Sequence, residues 1–146
     1  MPKLFISLLL TAACVFIHAA GLAIALDWLK RRSLPHLGAS VIYVVGWLIA
    51  IAAWTILLHL SEILIWAIAY VGYGVMPDLV TATYFSAVTY TTTGYGDLVL
   101  PPGWRLMGGV EALTGILMSG LSTGLFFALF AKVVESAPKA SSANGH

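Results

Sequence analysis

Three apolar runs, each long enough to cross a bilayer, decide what this chain can become. From Leu4 to Leu29 the only charged or imidazole side chains are His18 and, at the end, Asp27. A second run extends from Leu37 to about Trp66 and stays apolar until His59, Ser61 and Glu62. A third runs from Trp104 to Val134 with Glu111 as its only acid. At ~1.5 Å of rise per residue the first run is roughly 39 Å long as a helix, more than the ~30 Å of a hydrocarbon core. Backbone groups find no water in lipid, so such runs cross as helices. The expected fold is an all-α membrane protein with three transmembrane helices.

Composition excludes the soluble classes. The chain is 60% apolar and 9% charged with a mean hydropathy of +0.97, against about 45–50% and about 25% in soluble domains. Seven basic and six acidic residues give a net charge of +1, so no basic face exists for nucleic acid. Cys14 is the single cysteine; without disulfide or zinc-site partners it reads as a packing residue. There are no internal repeats, and the small polar stretch 137–146 is predicted to be a disordered tail. A cleaved secretory signal fits the first run less well than a membrane helix. The run continues to Leu29 and stops at Lys30-Arg31-Arg32, which acts as an orientation signal.

Counting bases sets the topology. With the loop from Lys30 to His36 inside, Lys30, Arg31, Arg32, Lys132 and Lys139 are cytoplasmic, and only Lys3 and Arg105 lie outside. The expectation is a multi-pass protein of the plasma (inner) membrane, N-terminus outside and C-terminus cytoplasmic. Its units are 1–36, a helix and basic loop; 37–136, the main membrane domain; and 137–146, the tail.

Between the second and third runs, Pro77 and Asp78 open the stretch from Leu79 to Tyr90. It would be roughly 18 Å long as a helix, too short to span. Its Val, Thr, Tyr and Phe content favours a strand in water. A lone strand in lipid leaves its backbone unsatisfied, so a short re-entrant helix is predicted, started by Pro77 and Asp78.

Next comes Thr89-Tyr90-Thr91-Thr92-Thr93-Gly94-Tyr95-Gly96-Asp97. It resembles the potassium-channel selectivity filter, T-x-T-T-x-G-Y-G-D, with every fixed position filled. From about Trp66 to Val134 the chain resembles small bacterial members of the two-helix potassium-channel family. The resemblance implies a pore helix, a filter loop and an inner helix in a homotetramer, because a carbonyl cage needs four loops. It also implies K+ ions as the only cofactors, held at Thr92, Thr93, Gly94, Tyr95 and Gly96, with Thr89, Thr91, Tyr84, Phe85 and Asp97 as support. The partners implied are the lipid bilayer and further copies of the chain, with no enzymatic activity. Two features depart from the family: Thr93 stands where valine is common, and the first helix is extra. That helix lacks the regularly spaced arginines of a voltage sensor and is expected at the periphery. A less selective cation channel and a non-conducting regulatory subunit remain as alternatives.

On the third helix, Gly115 falls where the family keeps a hinge glycine, although close helix packing also explains small residues there. Ile116, Ser119, Thr123 and Phe127 share one face and are the cavity-lining candidates. Glu111 lies roughly 9 Å below Arg105. An unpaired acid facing lipid is disfavoured, so Glu111 is expected to brace the filter from behind through pore-helix hydroxyls or filter N–H groups. A water-exposed acid near the outer mouth is the other reading. His59, Ser61 and Glu62 read as a wet outer interface, with pH sensing as the alternative, and His18 as a neutral imidazole bonded to another helix. An intramembrane hydrolase would require Ser119 and His59 to meet, which their different depths oppose.

Overall fold

The computed structural model describes residues 2–31 and 40–135 and is helical throughout its regular segments. The helices are α1 (Pro2–Lys30), α2 (Val41–Gly72), α3 (Leu79–Tyr90) and α4 (Arg105–Glu135), the last entered through a 3-10 turn at Pro102–Trp104. Three of them are long and apolar enough to cross a membrane: Pro2–Lys30, Val41–Gly72 and Pro102–Ala128. The basic loop beyond Arg31 and the tail 137–146 lie outside the described residues.

Helix α3 covers the twelve residues Leu79–Tyr90 despite their strand propensity, as the cost of bare backbone in lipid requires. Asp78 is its N-cap: the carboxylate accepts from the Thr81 N–H and the Thr81 hydroxyl, both at 2.8 Å. These bonds satisfy donors that a helix start leaves open.

Helices α1 and α4 run side by side in the same direction. At one end Lys3 donates to the Gly103 carbonyl at 2.9 Å and sits 4.2 Å from the centre of the Trp104 ring. Further along, the hydroxyls of Thr11 and Thr114 meet at 2.8 Å, and His18 meets Ser122 at 3.0 Å. Helix α3 packs between α2 and α4. The main core gathers Cys14, Trp66, Ala67, Tyr70, Phe85, Tyr90, Met107 and Met118, and a smaller core joins Leu29, Ile51 and Leu125 near the other end of α1. Most remaining large apolar side chains are exposed, among them Phe16, Ile42, Val80 and Phe127. That is the surface of a chain solvated by lipid rather than water.

The wet-interface reading of His59 and Glu62 is corrected here. Helix α2 continues to Gly72, so Glu62 lies ten residues, roughly 15 Å, from that end. Glu62 is fully buried and His59 partly so, both hydrogen-bonded to neighbouring helices. The apolar continuation Trp66 to Val71 carries them into the membrane.

The cap gives a pH-dependent prediction with a definite sign. The Thr81 N–H holds the Asp78 carboxyl below its ordinary range, so the cap contributes above the ordinary carboxylate range and is lost as pH falls through the lowered value. Asp78→Ala should lower the thermal midpoint at neutral pH, Asp78→Asn should retain most of it, and the Asp-to-Ala gap should shrink in acid. Unfolding scans against pH check all three.

Candidate functional site

Helix α3 ends at Tyr90, and the last carbonyls of a helix have no partners of their own. The following residues supply them. The N–H groups of Thr91, Thr92 and Thr93 donate to Ala87, Thr89 and Val88 at 3.1, 2.9 and 2.9 Å, and Gly94 N–H also reaches Val88 at 3.2 Å. Thr91 donates its hydroxyl to the Ala87 carbonyl and meets the Thr93 hydroxyl at 2.9 Å.

From there the backbone alternates in hand. Thr92, Gly94 and Gly96 have φ of 60°, 57° and 79°, and Thr93 and Tyr95 between them do not share the positive sign. Glycine takes such angles without a Cβ penalty, whereas Thr92 bears a cost of about 1–2 kcal/mol. Alternation of this kind turns successive carbonyls toward the same side of the strand. Residues 91–97 are all exposed in the single chain, Tyr95 to 72%.

The expected supporting residues surround this loop. Tyr84 donates its hydroxyl to Asp97 at 2.7 Å, clasping the middle of α3 to the far end of the loop. Phe85 is buried edge-on against Tyr70, with ring centres 5.3 Å apart, and so serves the contact between α2 and α3. The Thr89 carbonyl accepts from Thr92.

Glu111 is fully buried behind α3, so it is not a water-exposed acid at the mouth. It accepts from the Tyr70 hydroxyl at 2.6 Å and pairs with the Ser86 hydroxyl. Ser86 lies on α3, the short helix whose hydroxyls were expected to meet Glu111, and Tyr70 belongs to α2. Ser86 has a second acceptor in the Ile63 carbonyl at 2.9 Å but only one proton. A neutral Glu111 resolves this: it donates to Ser86, which donates to Ile63, while Tyr70 donates to the other carboxyl oxygen. Every contact then has one proton and the cluster has no charge.

Gly115 touches the same assembly. A Cβ there would overlap the Tyr90 carbonyl, so the approach of α4 to the end of α3 already demands glycine. Ile116, Ser119, Thr123 and Phe127 lie on the exposed side of α4, while Met107, Glu111, Thr114, Met118, Ser122 and Leu125 face the chain's own core. Ser119 is therefore on the opposite side from His59, which bonds to Ser122 and Tyr90 instead.

A family model described as ion channel matches residues 38–132 of this sequence. The chain belongs to that ion channel family. No curated protein and no solved structure gives a significant match. The matched stretch contains α2, α3, the loop and most of α4; α1 lies outside it. The ion channel fold thus accounts for the helices around the loop, whereas the Glu111 cluster and the residues around Tyr90 were visible to sequence reasoning only in part. Glu111 stood out as an acid in an apolar helix. Tyr70, Ser86 and Ser122 carried no such signal, because neutral hydroxyls are tolerated in membrane helices.

Glu111→Leu should leave the Tyr70 and Ser86 hydroxyls short of partners at about 1–3 kcal/mol each, lowering the thermal midpoint markedly. Glu111→Gln, whose carboxamide reproduces the neutral acid's donor and acceptor, should remain near wild type. Equal midpoints for the two variants would remove Glu111 from this role.

Proposed function

We propose that this ion channel is potassium-selective and that four copies bring their 92–96 loops around one axis. The observation that carries this reading is the alternation of φ at Thr92, Gly94 and Gly96 within a complete T-x-T-T-x-G-Y-G-D sequence. Removing water from a cation in a low-dielectric core is prohibitive unless oxygens replace it at once. Carbonyls of Thr92, Thr93, Gly94 and Tyr95, with the Thr92 hydroxyl, do so without adding charge, and the C-terminal end of α3 adds a partial negative charge below them. Exposure of residues 91–97 and of the Ile116 to Phe127 face of α4 supports a fourfold assembly, since both surfaces are then lined by ions, water or neighbouring copies.

Thr93 need not relax selectivity. Its hydroxyl is engaged with Thr91, and its carbonyl is still available to the axis. Four loops, each tied to its own pore helix, then pass K+ from site to site down its gradient. Gly115 can serve packing and bending together, so a gate at that level remains part of the proposal.

Planar-bilayer recordings in a K+/Na+ gradient test the function. Reversal near the K+ equilibrium potential is expected, and reversal near zero would make the pore a non-selective cation channel. Gly94→Ala should abolish current while the oligomer persists on a native gel, because a Cβ opposes the positive φ. Undiminished K+ current in that variant would overturn the assignment of the filter.

The proposed orientation places the mouth of the loop and the start of α1 outside. Lys3 and Gly103 meet at that end, and the basic cluster from Lys30 follows at the other. A cysteine substituted at Lys3 should react with an impermeant maleimide from outside only. Labelling confined to the cytoplasmic side would invert the topology.

A further inference from the structure

Five side chains from four helices close a ring inside the membrane that ion conduction does not use. His18 Nδ1 meets Glu62 Oε1 at 2.8 Å, and His18 Nε2 meets Ser122 Oγ at 3.0 Å. Ser122 Oγ meets His59 Nε2 at 3.2 Å, and His59 Nδ1 meets the Tyr90 hydroxyl at 3.0 Å. Tyr90 closes the circuit by donating to Glu62 Oε2. His18 and Glu62 are completely buried, and Tyr90 and Ser122 nearly so.

Five contacts need five protons. Tyr90 and Ser122 bring one each, two neutral imidazoles bring one each, and an ionised Glu62 brings none. Four protons leave one contact as a pair of facing lone pairs. A fifth, on an imidazole or on the carboxyl, completes the ring and also cancels the charge of Glu62. One proton thus meets both demands of a low-dielectric interior: no unmatched acceptor and no net charge.

Two other readings of these residues fail on geometry. Two histidines and a glutamate have the composition of a metal site, but ligands about 2.0–2.2 Å from a tetrahedral zinc stand roughly 3.3 Å apart. The 2.8 Å between His18 and Glu62 is the spacing of a direct hydrogen bond. Ser122, His59 and Glu62 also stand in the order of a hydrolytic triad. His59 Nδ1, however, is nearer Tyr90 than Glu62, at 3.0 against 3.7 Å, and the buried Ser122 hydroxyl is shared by two imidazoles.

We propose that this ring is a one-proton site through which α1 positions the C-terminal end of the pore helix and the loop it carries. Its bearing on conduction rests on the potassium-channel reading; its bearing on stability does not. Tyr90 is the last residue of α3, two positions before Thr92, and its carbonyl abuts Gly115. Loss of the fifth proton breaks one contact and leaves a negative charge beside that junction. The ionisable groups around the ring are Cys14 and His18 on α1, His59 and Glu62 on α2, Tyr90 on α3, and Glu111 on α4, which lies within electrostatic reach of Tyr90. The sign of the pH effect follows from proton number. In alkaline solution the opened chain, with neutral imidazoles and an ionised carboxylate, binds one proton fewer than the closed ring. Stability therefore falls as pH rises.

Glu62→Gln is the diagnostic substitution. Its carboxamide donates toward His18 and accepts from Tyr90, supplying five protons and no charge at every pH. In thermal unfolding of the full chain in lipid nanodiscs, the wild-type midpoint should fall by about 5 °C between about pH 6 and about pH 9, while Glu62→Gln stays level. His18→Leu should lower the midpoint across the range. Cys14→Ser and Glu111→Gln should keep the wild-type slope, assigning it to the ring. K+ flux from liposomes should follow the same pH profile in wild type and lose it in Glu62→Gln. A level wild-type midpoint, a wild-type slope in Glu62→Gln, or a midpoint shifted by a zinc chelator would each overturn the proposal. Absence of K+ flux with the midpoint pattern intact would overturn the channel reading alone.

Discussion

A helix that stops inside a membrane has a problem that a spanning helix does not: its last carbonyls end where no water can reach them. In the proposed channel α3 is such a helix, and the answer built into the chain is to fold the next four residues back onto it. The N–H groups of residues 91–94 take up the carbonyls of Ala87, Val88 and Thr89. The same bonds that satisfy the helix end therefore fix the first residues of the loop. The proposed filter and α3 are one hydrogen-bonded unit, and anything that positions Tyr90 positions the loop.

Two buried acids hold that unit from behind. Ser86 and Tyr90 are one turn apart on α3 and share a face. Ser86 meets Glu111 of α4, and Tyr90 meets Glu62 of α2. Each acid is enclosed, and each is compatible with its surroundings only when the protons in its cluster balance the contacts. Hydrogen bonds, unlike apolar contacts, have direction. They fix the rotation and depth of a twelve-residue helix that has little apolar surface to register against its neighbours.

The helices themselves could be read almost to the residue. Leu79–Tyr90 is too short to span, and its helix is legible from the Pro77-Asp78 start and from the unsatisfied backbone a lone strand would have in lipid, while α1 and α4 follow from their apolar runs. The weak point was α2, taken to end near Trp66. A limit of that kind comes naturally from the appearance of His59, Ser61 and Glu62, since polar residues usually mark the membrane surface. Here they mark the interior, because three other helices bring hydroxyls and an imidazole to meet them. Periodicity within one segment cannot reveal such partners: His18 is forty-four positions from Glu62 and Ser122 sixty-three from His59. Glu111 was more accessible to reasoning, because an acid one turn above Gly115 has few places to go except the back of the pore helix.

Helix α1 lies outside the stretch that matches the ion channel family, yet it is not merely laid against the rest. Peripheral placement would ask only for apolar contacts with α2 and α4. Instead Lys3 binds Gly103 beyond the loop, Thr11 meets Thr114, and His18 enters the ring that holds Tyr90. These contacts occur at three depths, so α1 is fixed along its length relative to α4 and cannot slide without breaking several at once. Glu62 explains why the deepest of them matters. Without His18 the carboxyl of Glu62 would face lipid or an apolar cavity on its Oε1 side, and a charge there would be unsustainable. The extra helix and the buried acid on α2 therefore require one another: the acid gives α1 a specific register, and α1 gives the acid a partner.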